Sequence, residues 1–176
     1  KMDNGLYTVK ISDEPITGKA YGYFGEESNP KIVYIGDIRN GKREGRWKSY
    51  YHSTGKKIFD YNYKNGKLNG LNTDWYENGQ KNFRGTYKDD KEDGLITSWY
   101  ENGQKNFRGT YKDGKPDGLV TKWYENGQKE EEGTWTDGKE DGLFTEWYEN
   151  GQKSFEGTYK DGKSDGLGTE WYENGQ

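Results

Sequence analysis

The sequence predicts an all-β fold: an elongated, single-layer array of antiparallel β-hairpins built from about seven repeats of 24 residues. Three observations predict it. The stretch from Trp75 to Asp89 (WYENGQKNFRGTYKD) recurs unchanged from Trp99 to Asp113, with looser copies starting at Trp123 and Trp147 and a short one at Trp171. Between clusters of turn residues, short runs rich in aromatic and β-branched side chains alternate, which is strand composition. Finally, the chain is only 27% hydrophobic, with a mean hydropathy of -1.44, too polar for one central core, yet it is 16% aromatic. Each buried ring removes roughly 150–250 Å² from water, enough for regularly placed rings to hold a thin structure together.

Taken in order, residues 1–35 read as a degenerate N-terminal cap and residues 36–176 as the array. Asn4 to Thr8 (NGLYT) echoes the later DGLxT, and Gly18 to Gly22 (GKAYG) echoes the later GKxDG, but the Trp-Tyr pair is missing. End repeats of a stack are atypical because they close it. From Tyr34 the period is clear: Gly36 to Gly45 aligns with Gly85 to Gly94, and Tyr50 to Gly55 stands where WYENG stands later. The GKxxG signature recurs at Gly18, Gly41, Gly66, Gly114, Gly138 and Gly162, with Asp90 in place of the first glycine in one copy. Asp tolerates a left-handed backbone, so that exchange is cheap.

Each unit reads as two strands, such as Lys105 to Lys112 and Leu119 to Tyr124, bounded by Glu-Asn-Gly and by DGKPDG. Leu119, Thr121 and Trp123 keep their identity in every good copy, as do Phe107, Gly109 and Tyr111 in the first strand, while the positions of Ile96, Val120, Phe144 and Gly168 vary. Side chains alternate across a strand, so both constant sets are expected on one packed face, with the variable set on a wet face. That face would carry the stripe Trp75, Trp99, Trp123, Trp147, Trp171, Phe83, Phe107, Phe155, Tyr87, Tyr111, Trp135 and Tyr159. A three-residue Glu-Asn-Gly loop satisfies this pairing, setting Trp99 opposite Lys105 and Thr97 opposite Phe107, with Gly103 left-handed and Gly79, Gly127 and Gly151 alike. Gly114, Gly138 and Gly162 serve the other turn, and Gly109 leaves room for a neighbouring ring. Two strands per repeat give a twisted ribbon on the order of 65 Å long.

The 27 basic and 31 acidic side chains are interspersed, which argues against nucleic acid and against unspecific adhesion to anionic lipid. No apolar run approaches the ~18 residues of a membrane helix, and none reads as a signal-peptide core. Without cysteine there is no disulfide, thiolate metal site or thiol nucleophile. His52 is the sole histidine and lies in a degenerate turn, which is no basis for a triad or a metal site, so no catalytic residue, metal or cofactor is expected.

The run from Phe155 to Gly168 (FEGTYKDGKSDGLG) resembles the MORN repeat, aromatic-x-Gly-x-aromatic-x-x-Gly-x-x-x-Gly-x-Gly, and the resemblance extends from Tyr34 onwards. The last glycine of the pattern survives only at Gly168, with Asn72, Ile96, Val120 and Phe144 elsewhere. The resemblance implies hairpin arrays that bind protein partners, self-associate or lie on membranes, and it implies no shared chemistry. The YENGQK turn is similar to the bacterial variant of the repeat, found in exported, surface and antitoxin-like proteins, which favours export or the cell surface over the cytoplasm.

Candidate sites each carry two readings. The Asp and Lys columns of the DGKxDG turns could form a calcium ladder, but hard cations want six or more oxygens and a lysine sits between the carboxylates, so solvating charge is preferred. The Trp stripe reads first as packing and second as a glycan or peptide groove. The second aromatics, Tyr76, Tyr100, Tyr124, Tyr148 and Tyr172, are expected on the opposite face as rigid interface anchors. Glu130-Glu131-Glu132 replaces the phenylalanine column, compensated by Trp135 or forming an acidic recognition spot. The strand from Gly168 to Tyr172 reads as an open edge fit for antiparallel homodimerisation. The leading function is therefore a non-catalytic scaffold for a protein partner. The runner-up is a module for envelope glycans, quaternary amines or lipid.

Overall fold

The computed structural model describes residues 17–24 and 31–176, and among them every regular element is a β-strand. The strands are β1 (Gly18–Phe24), β2 (Lys31–Arg39), β3 (Lys42–Tyr50), β4 (Lys57–Lys64), β5 (Lys67–Leu68), β6 (Gly70–Trp75), β7 (Lys81–Lys88) and β8 (Lys91–Trp99). They continue as β9 (Lys105–Lys112), β10 (Lys115–Trp123), β11 (Lys129–Thr136), β12 (Lys139–Trp147), β13 (Lys153–Lys160), β14 (Lys163–Ser164) and β15 (Thr169–Glu170). Each pairs antiparallel with its chain neighbour in one open sheet of 15 strands, β5 and β15 lying off the main path beside β4 and β13. The single-layer hairpin ribbon expected from the repeats is the observed architecture. Asn4 to Thr8 and the rest of the first 16 positions of the cap lie outside the described residues, and β2 runs through positions 35 and 36 without a break.

The two turn types set the register. Tyr100 N–H donates to the Gln104 carbonyl at 2.8 Å and Gly103 N–H to the Tyr100 carbonyl at 2.9 Å, closing the expected three-residue Glu-Asn-Gly loop, with Gly103 at φ 88°. At the other end the DGKxDG segment is not one long loop. Asp113 and Gly114, at φ 51° and 85°, make a two-residue turn whose double positive φ matches the twist of a hairpin, and β10 resumes at once at Lys115.

The face assignment differs from expectation. Trp99 does pair with Lys105, but Phe107 pairs with Ser98 and not with Thr97, because Asn106 is an extra residue that bulges out of β9. The same shift recurs between β6 and β7, β10 and β11, and β12 and β13. One residue of slip reverses which side chains share a face. The phenylalanine, glycine and tyrosine columns therefore lie with Asn72, Ile96, Val120 and Phe144, and the leucine, threonine and tryptophan columns occupy the other face.

Burial follows this corrected register. Ile96 and Val120, in the column expected to be wet, are among only four buried hydrophobic residues described, with Ile35 and Trp47. A Cβ built on Gly109 would stand 3.0 Å from both Phe107 and Val120, so the glycine does make room for its neighbours. The constant leucines are the exposed ones: Leu71 at 42%, Leu95 at 45%, Leu119 at 56% and Leu143 at 56%.

Candidate interaction surfaces

Three surfaces follow from this register: a tryptophan face, a phenylalanine face and the two turn edges. On the tryptophan face each ring is half-buried and carries a lysine from the paired strand over it. Lys57 lies 5.2 Å from the Trp75 centroid, Lys81 5.7 Å from Trp99, Lys105 5.6 Å from Trp123, Lys129 5.4 Å from Trp147 and Lys153 5.8 Å from Trp171. At partly exposed sites such contacts contribute about 0.5–1 kcal/mol each. None of these five rings pairs with another aromatic ring among the described residues. Beside them run the exposed leucines.

The charge of this face changes along the array. Asp60 receives hydrogen bonds from Arg46 at 2.5 Å and Lys57 at 2.9 Å; burial pushes its carboxyl up, but these two cations outweigh burial and hold it below the ordinary value. Glu132 and Glu156 likewise pair with Lys129 and Lys153. Between these, Arg84 and Arg108 occupy the same column and make no ion pair among the described residues, so Lys81, Arg84, Lys105 and Arg108 form an uncompensated basic stretch.

The phenylalanine face holds the aromatic contacts. Phe83 meets Tyr87 at 6.3 Å, Phe107 meets Tyr111 at 6.2 Å, and Phe144 lies between Trp135 at 5.8 Å and Tyr159 at 5.6 Å. Burial is the main reason the Tyr87 hydroxyl is pushed up to about 12, with Glu92 adding to it. The three-glutamate run is divided between the faces. Glu131 pairs with Lys122 at 2.8 Å here, Glu132 accepts from Thr121 at 3.0 Å on the other face, and Glu130 is the bulge residue. Glu146, opposite Glu131, has its carboxyl raised by burial and then by that neighbour's charge.

The tyrosine row expected to be interface anchors does something the sequence reading missed. Tyr76, Tyr100, Tyr124 and Tyr148 are half-buried, and each hydroxyl donates to the carbonyl of the tryptophan one repeat onward, at 2.7, 2.7, 2.8 and 2.8 Å. Tyr51 makes the same bond to Trp75 at 3.0 Å, and Tyr172 is 76% exposed. Alongside, Asn78, Asn102, Asn126 and Asn150 donate to Glu101, Glu125, Glu149 and Glu173 carbonyls, each at 2.9 Å. The 24-residue spacing of the Trp-Tyr pair was the signal for this ladder. At the opposite edge the aspartates and lysines pair along the array, as in Lys115–Asp137 at 3.0 Å and Lys160–Asp141 at 2.9 Å. Among the described residues, no three His, Cys, Asp or Glu side chains are grouped so as to hold a metal. The open strand expected from Gly168 to Tyr172 is reduced to β15, whose two residues pair with Phe155 and Glu156.

Comparison with known families gives a consistent result. A family model described as a MORN repeat variant matches residues 68–89, 92–113, 116–137 and 140–161, and one described as a MORN repeat matches residues 34–46 and 155–176. Each variant match spans one Glu-Asn-Gly hairpin, such as β8 with β9. No curated protein matches the chain.

Proposed function

Since this chain belongs to the MORN repeat family, we propose that it is a non-catalytic scaffold that holds a protein partner on its tryptophan face. The observation that carries this reading is the row of constant leucines left 42–56% exposed beside half-buried tryptophans. A sheet with no second layer among its described residues gains nothing from exposed leucines in every repeat, and contiguous exposed apolar side chains mark contact sites. Adjacent leucines are two strands apart, about 10 Å, a spacing that suits an extended or helical segment laid across the strands. The lysine over each tryptophan, and the lack of an aromatic partner for any of the five tryptophan rings among the described residues, favour a protein partner over a glycan or quaternary amine held between rings on this face. The tyrosine row is the competing surface, because its ring faces are half-open although the hydroxyls are engaged.

Affinity capture from source-cell fractions separates these readings. The intact array should retain a discrete, stoichiometric protein, a Leu95→Ser/Leu119→Ser/Leu143→Ser array should lose it, and a Tyr100→Phe/Tyr124→Phe/Tyr148→Phe array should keep it. Loss only from the tyrosine variant would move the site to that row. Retention of polysaccharide or lipid without a protein would overturn the scaffold reading. A solution mass that rises with concentration would add self-association to it.

A further inference from the structure

We propose that a pocket between β4, β6 and β7 on the phenylalanine face binds a small organic ammonium that carries a hydrogen-bond acceptor close to its charged nitrogen. The pocket is a half-open hollow of about 200 Å³ lined by Tyr61, Leu68, Asn72, Asp74, Phe83 and Tyr87. It exists because one repeat departs from its columns. Tyr61 stands where Gly85, Gly109, Gly133 and Gly157 stand in the others, and Asn72 stands where they have Ile96, Val120, Phe144 and Gly168.

Asn72 is 1% exposed. Its Oδ1 accepts the Asn62 backbone N–H at 2.7 Å, and because that N–H can only donate, the orientation of the amide is fixed. Nδ2 is left as a buried donor with no partner, the one such side-chain atom among the described residues. Buried polar groups are almost always satisfied, so an orphan donor on a residue that lines the pocket is a place for an acceptor from outside, which reaches it by a small shift of the lining side chains.

Asp74 supplies the second half of the site. It lies between Phe59 and Phe83 on the flanking strands and accepts the Tyr61 hydroxyl at 2.6 Å, but no cation pairs with it among the described residues. Two repeats onward, Lys122 takes the register position of Asp74 and Glu131 that of Phe83, and those two meet at 2.8 Å. There the chain supplies both charges; at Asp74 the described residues supply only the anion. Tyr61, one face of which is stacked on Phe59 at 4.6 Å, lines the pocket together with Phe83 and Tyr87, and an ammonium held against an aromatic face gains from its negative quadrupole. An amino alcohol is the smallest ligand that meets all three demands: its ammonium reaches Asp74, its oxygen accepts from Asn72, and its methylenes lie against the rings. The site faces away from the surface proposed above for the protein partner, so the two proposals fail independently.

The test is a titration of the 15N-labelled full chain, following the Asn72 side-chain amide, with ethanolamine, ethylamine and ethylene glycol as probes. Ethanolamine should give a saturable shift, ethylamine should bind roughly five- to tenfold more weakly for want of the acceptor, and ethylene glycol should give none. Asp74→Asn keeps an acceptor for Tyr61 and removes the charge, so it should lose the ethanolamine response while staying folded, with a melting temperature no lower than the parent's. Should that variant fail to fold, Phe83→Leu takes its place and should weaken ethanolamine binding while leaving the sheet intact. No shift with ethanolamine up to about 100 mM, well above what a four-atom ligand in a fitted pocket requires, would overturn the proposal. So would an equal response to ethylene glycol, or a response unchanged in whichever variant folds.

Discussion

The junction of β7 with β8 and the junction of β4 with β6 are built to one register and filled in opposite ways. At the first, Gly85 faces Ile96, and a Cβ on the glycine would fall 2.6 Å from the isoleucine and 2.8 Å from Phe83. At the second, the glycine column holds Tyr61 and the isoleucine column holds Asn72, so the large residue has changed strands. The difference teaches that turns and bulges fix the pairing, leaving the face free to exchange large for small as long as the space is filled once. It also teaches what the exchange costs: the regular junction buries carbon, whereas the exchanged one buries an amide and crowds a carboxylate.

The strongest test converts one junction into the other. Tyr61→Gly alone removes a half-buried ring and the Asp74 bond, and should lower stability by about 2–4 kcal/mol in urea denaturation. Tyr61→Gly with Asn72→Ile rebuilds the regular pair and should recover more than half of that loss. Recovery of none would show that the two junctions are not interchangeable. Next in size, Gly85→Ala should cost about 1–3 kcal/mol by overpacking against Ile96 and Phe83, with partial rescue by Ile96→Ala. Tyr124→Phe removes the hydroxyl bond to the Trp147 carbonyl and should lower stability by about 0.5–1.5 kcal/mol with no change in the strand pairing seen by NMR.

The smallest effect is electrostatic. Burial raises the Asp74 carboxyl above its reference value of 3.8, against an opposing hydrogen bond from Tyr61. The folded chain thus holds that proton more tightly than the unfolded chain does. The resulting stabilisation is full below the unfolded value and is lost as pH rises through the folded one. The Asp74→Asn variant lacks this loss, so its stability relative to the parent should climb across that window and level off above it. A flat difference from acid to neutral pH would mean that Asp74 is better solvated than its place between two phenylalanines implies.

Much of this was legible in advance. Period, strand content and the three-residue turn followed from Gly103 and its equivalents, because a turn is a local property of few residues. The bulge at Asn106 was not legible, since nothing in an Asn between Lys105 and Phe107 distinguishes a bulged residue from a paired one. That single residue reversed the reading of the faces. It also made constancy a poor guide to burial among the aliphatic side chains: Leu119 is constant and exposed, while Val120 changes identity from copy to copy and is buried, because the glycine opposite tolerates any size that fits. The Asn72 pocket could have been suspected from sequence, as Tyr61, Asn72 and Asp74 each break a column within one repeat. What no column could reveal is that the three meet around an unpaired amide.

The ladder along the Glu-Asn-Gly edge also bears on how such a gene can change. The units at Tyr100, Tyr124 and Tyr148 each offer the next one a tyrosine hydroxyl and an asparagine amide, and receive the same pair from the unit before, so their two boundaries are interchangeable. An in-frame duplication or deletion of one unit leaves each remaining boundary with the partner it was made for. The unchanged repetition of Trp75–Asp89 at Trp99–Asp113 is what a recent duplication of this kind would leave behind. Array length is then something that replication slippage can adjust and selection can sort, with no intermediate that has to fold in a new way.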